Sequence, residues 1–283
     1  MLECKYRKKL SAGEKVKGIS GISLNLGMYI NLITSYLVRF FSSLKNSLDT
    51  RTALAKNFYS NVLNDKGSYP EYEFVSSAKK DLLSRGGSAK RLIHVDTHGA
   101  GNNGGTSYKK VSAVVRRSSV TEKQGRLLFR ICRYYRPASI IELGTAAGIS
   151  TMYLASGNPD AEVMTIEGNS ELAAIASQNF NKHNLNNIKV LNCSFREALA
   201  GLKNVDKKDG ERMTLVFIDG DHTYEATLEY FDYFRRILVR PYIILIHDIY
   251  WSGGMYKAWR EIEDSCADCE IMDLFFMGAV LSM

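Results

Sequence analysis

The chain has 283 residues, 45% hydrophobic and 24% charged, the balance of an ordinary globular protein with a sizeable core. Five cysteines (Cys4, Cys132, Cys193, Cys266, Cys269) exclude a disulfide framework at this length and fit a reducing cytoplasm; the lone C-x-x-C at Cys266 and Cys269, with no second pair and no nearby His, reads as two thiols rather than zinc ligands. The net charge of +7 is uneven: residues 1–120 carry 20 Lys/Arg against 8 Asp/Glu, residues 121–283 carry 17 against 22. The basic half suits an anionic partner such as nucleic acid, a membrane surface or an acidic substrate, or else a solvated basic face.

In chain order, residues 1–60 read as a basic helical N-terminal extension. Its most apolar run, GISLNLGMYINLITSYLVRFF (residues 21–41), is interrupted by Asn25, Asn31, Thr34, Ser35 and Arg39, and no small-residue cleavage pattern follows it. An amphipathic helix packed on the rest of the protein is therefore expected rather than a membrane span, with peripheral membrane contact through residues 1–45 as the second reading. Residues 61–119 form a mixed connecting region. Within it HVDTHGAGNNGGTS (residues 94–107) has four glycines and two asparagines, so no regular structure is expected there; it reads as a flexible connection or a lid.

From residue 120 the pattern becomes regular. TEKQGRLLFRICRYYRP reads as an amphipathic helix stopped by Pro137. Then apolar strands alternate with helices: SIIELG and ISTMYLASG, AEVMTIEG and a helix with Ser170 as N-cap, IKVLNC and FREALAGL, MTLVFIDG and YEATLEYFDYFRRIL, PYIILIHD and GMYKAWREIED. CEIMDLFF and GAVLSM close the chain as a strand pair. Continuous apolar strands joined by helices indicate a doubly wound α/β fold, its mostly parallel seven-stranded sheet buried on both faces.

Ligands of such sheets lie beyond the carboxyl ends of the strands, where the strand order reverses. The first strand ends Glu142-Leu143-Gly144, and Gly144 and Gly148 allow a sharp turn and close approach to the next helix N-terminus. Ala146 stands where a nicotinamide fingerprint places its second glycine, which argues against a dehydrogenase. Glu167 ends the second strand, at the spacing of an acid that accepts hydrogen bonds from ribose hydroxyls. Asp219-Gly220-Asp221-His222 ends the fourth strand and His247-Asp248 the fifth. Asp221 also reads as a helix N-cap and His247 as a packed imidazole. Together the strand ends predict a nucleoside-containing cofactor.

The segments IIELGTAAGISTMYLA, VMTIEGN, LVFIDGDHTYEATLEYF and IILIHDIYWSGGMYKAW, in that order, resemble class I S-adenosylmethionine-dependent methyltransferases. The nearest branch is the small-molecule O-methyltransferases that include catechol O-methyltransferase. The resemblance covers roughly residues 115–283 and implies a Rossmann-like methyltransferase fold and S-adenosylmethionine as cofactor. It implies that Glu142, Gly144, Thr145, Ala146, Gly148 and Ser150 surround the methionine part, that Glu167 holds the ribose with Gly168 and Asn169 beside the adenosine, and that Ser194 and Phe195 lie by the adenine. In the metal-dependent members, acids at Asp219 and Asp248 hold magnesium; the third ligand position reads Ile249 here. Asp219, His222 and Asp248 are the catalytic candidates, with the metal or a His taking the acceptor proton. His247 is a second candidate base. Tyr250, Trp251 and Met255 are candidates to line the acceptor pocket. A small-molecule acceptor is expected; the oligomeric state stays open, with a homodimer one option. The missing Asn/Asp-Pro-Pro-aromatic motif after the fourth strand speaks against nucleic-acid bases, leaving an anionic macromolecule or lipid, met through the basic N-terminal region, as the alternative.

Overall fold

A computed structural model describes residues 52–84, 87–96, 106–202 and 212–283. The expected amphipathic helix of residues 21–41, and with it the membrane-contact reading of residues 1–45, lies outside the described residues. Among those described, no helix is long and apolar enough to cross a membrane.

The chain enters through α1 (Ala53–Phe58), extended by a wider turn over Tyr59–Leu63, and α2 (Pro70–Leu83), with Pro70 in its first turn where a missing N–H costs nothing. The segment expected to lack regular structure is partly ordered: β1 (Leu92–Asp96) and β2 (Thr106–Lys110) pair antiparallel from Leu92↔Lys110 to Asp96↔Thr106. Composition had pointed only to the glycines between the two strands, but Ile93 is fully buried and anchors β1 to the core. Helix α3 (Val111–Ser118) follows, then α4 (Glu122–Tyr135). A capping box starts α4: Thr121 accepts from the Gln124 N–H, and the Gln124 side chain accepts from the Thr121 N–H.

The remaining chain alternates strand and helix: β3 (Ser139–Leu143), α5 (Ile149–Gly157), β4 (Glu162–Ile166), α6 (Ser170–Lys182), β5 (Ile188–Leu191), α7 (Phe195–Gly201), β6 (Thr214–Ile218), α8 (Tyr224–Ile237), β7 (Tyr242–His247), α9 (Gly253–Ser265), β8 (Glu270–Asp273) and β9 (Met277–Ser282). The seven-stranded sheet has the order β5-β4-β3-β6-β7-β9-β8. Strands β3 to β7 run parallel, and β9 inserts antiparallel between β7 and β8. This is the expected doubly wound fold, with the order reversing between β3 and β6.

Alternation along each strand sends side chains to two separate cores. Ile140, Phe217, Ile243 and Leu245 face one layer with Leu128, Ile131, Met152 and Leu154. Ile141, Val216, Ile218, Ile244 and Ile246 face the other, with Phe231, Phe234, Trp259 and Ile262. Phe58, Val62, Val75 and Leu82 share the first of these cores, so α1 and α2 pack against the same sheet face as α4 and α5. Cys266 is buried and Cys269 half-buried, and neither forms a disulfide.

Candidate active site

The switch point between β3 and β6 gathers the strand-end acids. Glu142 is fully buried on β3. One of its carboxylate oxygens accepts from the Thr151 hydroxyl and, at 2.6 Å, from the Thr165 hydroxyl. Thr165 in turn meets Thr145 Oγ1 at 2.5 Å. The other oxygen is buried without a hydrogen bond of ordinary geometry. Burial pushes the Glu142 carboxyl up to about 7, against the lowering pull of the Ser150, Thr151 and Thr165 hydroxyls; the Asp219 charge adds to the rise.

The bend after β3 is built for close packing. Gly144 has φ 105°, and a Cβ there would stand 2.4 Å from the Asp219 carbonyl oxygen; Gly148, at φ 85°, would meet the Phe180 ring at 2.6 Å. The glycines are thus demanded by protein atoms of neighbouring elements as well as by the turn. Ala146 also lies in the left-handed region, at φ 46°. Its N–H donates to Glu167 Oε2 at 2.8 Å, and the Asn169 N–H donates to Oε1 at 2.9 Å. Burial raises the Glu167 carboxyl above its ordinary range, opposed by these two backbone donors. Gly148 caps α5 with no side chain on the helix N–H groups, so they remain available to an anion.

The other predicted cofactor residues are placed as follows. Thr145 and Ser150 are buried, which leaves chiefly their backbone to a ligand. Gly168 is open: a Cβ there would meet only the Cys193 carbonyl, at 3.9 Å. Asn169, not Ser170, caps α6, accepting from the Glu171 and Leu172 N–H groups, and its amide nitrogen donates to the His94 carbonyl at 2.6 Å. The amide wins this position because its oxygen spans both N–H groups of the first turn. Ser194 caps α7 in a capping box with Glu197. Phe195 packs edge-on against Tyr230 and covers Gly220.

On β6 and β7 the arrangement differs from a pair of acids. Asp219 Oδ1 lies 2.7 Å from His247 Nδ1 and 3.5 Å from His222 Nε2. Ligand atoms of Asp219, His222 and His247 all lie within 4.8 Å of one another. Asp248 stands outside that group, 3.7 Å from His247 Nε2, with its backbone at φ 54° and its side chain 32% exposed. Ile249 is fully buried and offers no oxygen. Magnesium takes an octahedron of oxygens, whereas the gathered set is one carboxylate and two imidazoles, already linked to one another. Of these residues only Asp219 offers magnesium a carboxylate oxygen, and Asp248 would have to join it to give the expected pair of acids.

His222 is held at φ 34° beside Asp221 at φ 57°, two consecutive non-glycine residues in the left-handed region. Such strain persists where the surroundings fix it and clusters at functional sites. Asp221 does not cap the next helix; Thr223 does, and Asp221 instead accepts from the Tyr230 hydroxyl at 2.5 Å. Of the acceptor-pocket candidates, Met255 is buried in the core, where the Thr227 hydroxyl donates to its sulfur. Trp251 is 53% exposed beside Asp248, and Tyr250 donates to Asp273 at 2.5 Å.

A glycine bend after β3, the acids Glu142 on β3 and Glu167 just after β4, and a His–Asp pair after β6 therefore lie at the carboxyl ends of neighbouring strands. Residues 141–249 match a family model described as "Methyltransferase domain". That match spans 109 of the 283 residues. Among curated proteins the chain is similar to catechol O-methyltransferase of Mus musculus (26% identical over 155 residues, 52% of this chain and 58% of the relative). It is also similar to catechol O-methyltransferase of Mycobacterium tuberculosis (27% over 169 residues, 59% and 72%). The chain thus spans less than two thirds of the mouse relative's length. Two solved structures share the fold: an O-methyltransferase from Bacillus cereus in complex with SAH (TM-score 0.52, 18% identical, 83% of this chain and 99% of that one) and SAH-bound PaMTH1 of Podospora anserina (TM-score 0.53, 15%, 96% and 99%).

Sequence reasoning missed Thr151 and Thr165, which hold Glu142, and Gln124, which reaches His247 Nε2 at 3.1 Å. The T-x-x-Q of a capping box was visible at Thr121, but nothing local shows where the far end of the Gln124 amide points.

Proposed function

We propose that this chain transfers a methyl group from S-adenosylmethionine to a hydroxyl of a small molecule, with His222 as general base. The observation that carries the reading is the His222–Asp219 pair after β6, beside the strand ends that carry Glu167 and the N-terminus of α5, whose N–H groups no side chain caps. When bound, the cofactor supplies a methyl carbon made electrophilic by its sulfonium. Glu167 is already pinned by two backbone N–H groups, so its remaining lone pairs are aimed rather than free to rotate; they would accept from ribose hydroxyls. The α5 N–H groups and the buried Glu142 would take the charged ends of the methionine part. His222 turns Nε2 toward Asp219, leaving Nδ1 to accept the proton of the hydroxyl, and the carboxylate stabilises the imidazolium that forms. Holding the acceptor in line in such a cleft is worth up to about 7–11 kcal/mol in favourable cases. The exposed Trp251 offers a flat apolar surface to an acceptor ring.

The test is calorimetry with S-adenosylhomocysteine together with single-turnover assays over a panel of phenolic and sugar hydroxyls. Glu167→Ala should weaken S-adenosylhomocysteine by roughly 1–3 kcal/mol, the cost of hydrogen-bonding groups left unmatched. His222→Ala should bind it normally and lose about 10²–10⁴-fold in transfer rate. Wild-type protein that fails to bind S-adenosylhomocysteine, or a His222→Ala variant at full rate, overturns the reading.

A further inference from the structure

The imidazole that meets Asp219, His247, is joined on its other side to the first turn of α4. Gln124 Oε1 lies 2.7 Å from the Thr121 backbone nitrogen, and Gln124 Nε2 lies 3.1 Å from His247 Nε2. A backbone N–H only donates, so the amide atom that meets it is the oxygen. The amide is therefore oriented by the helix cap, and its NH2 faces the imidazole. A ring nitrogen that meets an N–H donor at this distance presents its lone pair, so His247 Nε2 carries no hydrogen. The ring hydrogen then sits on Nδ1, where Asp219 Oδ1 is 2.7 Å away.

We propose that Gln124 is a positioning residue of this methyltransferase, locking His247 as the neutral Nδ1–H tautomer so that His247 donates to Asp219 and holds its carboxylate toward His222. The proposal deepens the reading of His222 and Asp219 given above. Each link constrains the next: cap, amide, imidazole, carboxylate, base. The groups that face His247 support the assignment. Asp219 accepts on the Nδ1 side; on the Nε2 side Gln124 is at hydrogen-bond distance, and the Asp248 carboxylate is farther, at 3.7 Å. The Phe217 ring packs edge-on at 5.9 Å, and the His222 ring lies 6.3 Å away. Buried among these on β7, His247 has the environment of an orienting group rather than of a base that exchanges protons with substrate.

Glutamate is also a capping-box residue, so Gln124→Glu keeps the helix start while replacing the donor that faces His247 by an acceptor. The experiment is two-bond ¹H–¹⁵N correlation spectroscopy on full-length protein labelled at histidine nitrogens, with the His247 signals assigned by their loss in His247→Asn. In the wild type near neutral pH, His247 should show a pyrrole-type Nδ1 and a pyridine-type Nε2. In Gln124→Glu, with unchanged circular dichroism, Nε2 should become pyrrole-type while Nδ1 keeps its hydrogen. A hydrogen on Nε2 in the wild type overturns the proposal, as does an Nε2 signal that Gln124→Glu leaves in place. If Gln124→Glu does not fold, the wild-type spectrum alone decides. S-adenosylhomocysteine calorimetry on the same wild-type sample separates the two readings: no binding with the expected tautomer removes the enzymatic reading and leaves the lock, and binding with the wrong tautomer does the reverse.

Discussion

Glu142 shows how a single side chain records the demands of its site. A carboxyl with no exposure, held by threonine hydroxyls, titrates near 7 because burial opposes its charge more than the hydroxyls favour it. The sign of the consequence follows from proton counting. Between the ordinary carboxylate range and about pH 7 the unfolded chain has lost the Glu142 proton while the folded one retains it, so the unfolded state binds fewer protons and stability falls as pH rises. Above pH 7 both states are ionised and the loss levels off. Denaturant unfolding at pH 5, 6, 7 and 8 should show this decline, on the order of 3 kcal/mol in all. Glu142→Gln has no such proton and should flatten the profile over the same window; an unchanged slope would mean that Glu142 is ionised in the folded protein throughout.

At the scale of elements, the β1–β2 ribbon is tied to the end of β4 through the first turn of α6. The His94 N–H donates to Glu171 Oε2 at 2.6 Å, Arg91 pairs with the same carboxylate at 3.2 Å, and Asn169 donates to the His94 carbonyl. The His94 N–H and the Arg91 guanidinium hold the Glu171 carboxyl below its usual range. Asn169 also supplies a backbone N–H to Glu167, so ribbon and proposed ribose acid share one anchor. Glu171→Ala should speed hydrogen exchange at the His94 amide while amides of β3 and β6 keep their protection, because local opening is set by the contacts of the opening unit. Equal exchange in variant and wild type would show that the β1–β2 pairing holds without α6. This link was not legible in the sequence. The glycines between His94 and Ser107 pointed to an unstructured segment, and only the distant carboxylate and the buried Ile93 explain why its flanks form strands.

For the molecule as a whole, two apolar cores clamp a sheet whose strand order reverses at β3 and β6, and the candidate groups lie at the carboxyl ends of the strands on either side of that reversal. The proposed deprotonation rests on His–Asp contacts rather than on an oxygen cage for an ion. Prolonged dialysis against EDTA should therefore leave both S-adenosylhomocysteine binding and the initial transfer rate unchanged. A rate lost on dialysis and restored by added magnesium would require Asp219 and Asp248 to rearrange around an ion.

What the sequence determined by itself is the part governed by near neighbours. Apolar runs at strand length, helix stops at Pro137 and Gly157, glycines at the Gly144 and Gly148 bend and acids at the ends of successive strands follow from local sterics and from the need to bury both sheet faces. These placed the sheet and the strand ends at which the candidate residues stand. Tertiary structure alone decided which polar atoms meet. Gln124 and His247 are 123 residues apart, and Asp219 could have faced Asp248 or His247 with the same strand register. The physical reason is range. Backbone propensity and burial act over a few residues, whereas the direction of a hydrogen bond is fixed only by the atom at its other end, which a chain of this length can bring from anywhere.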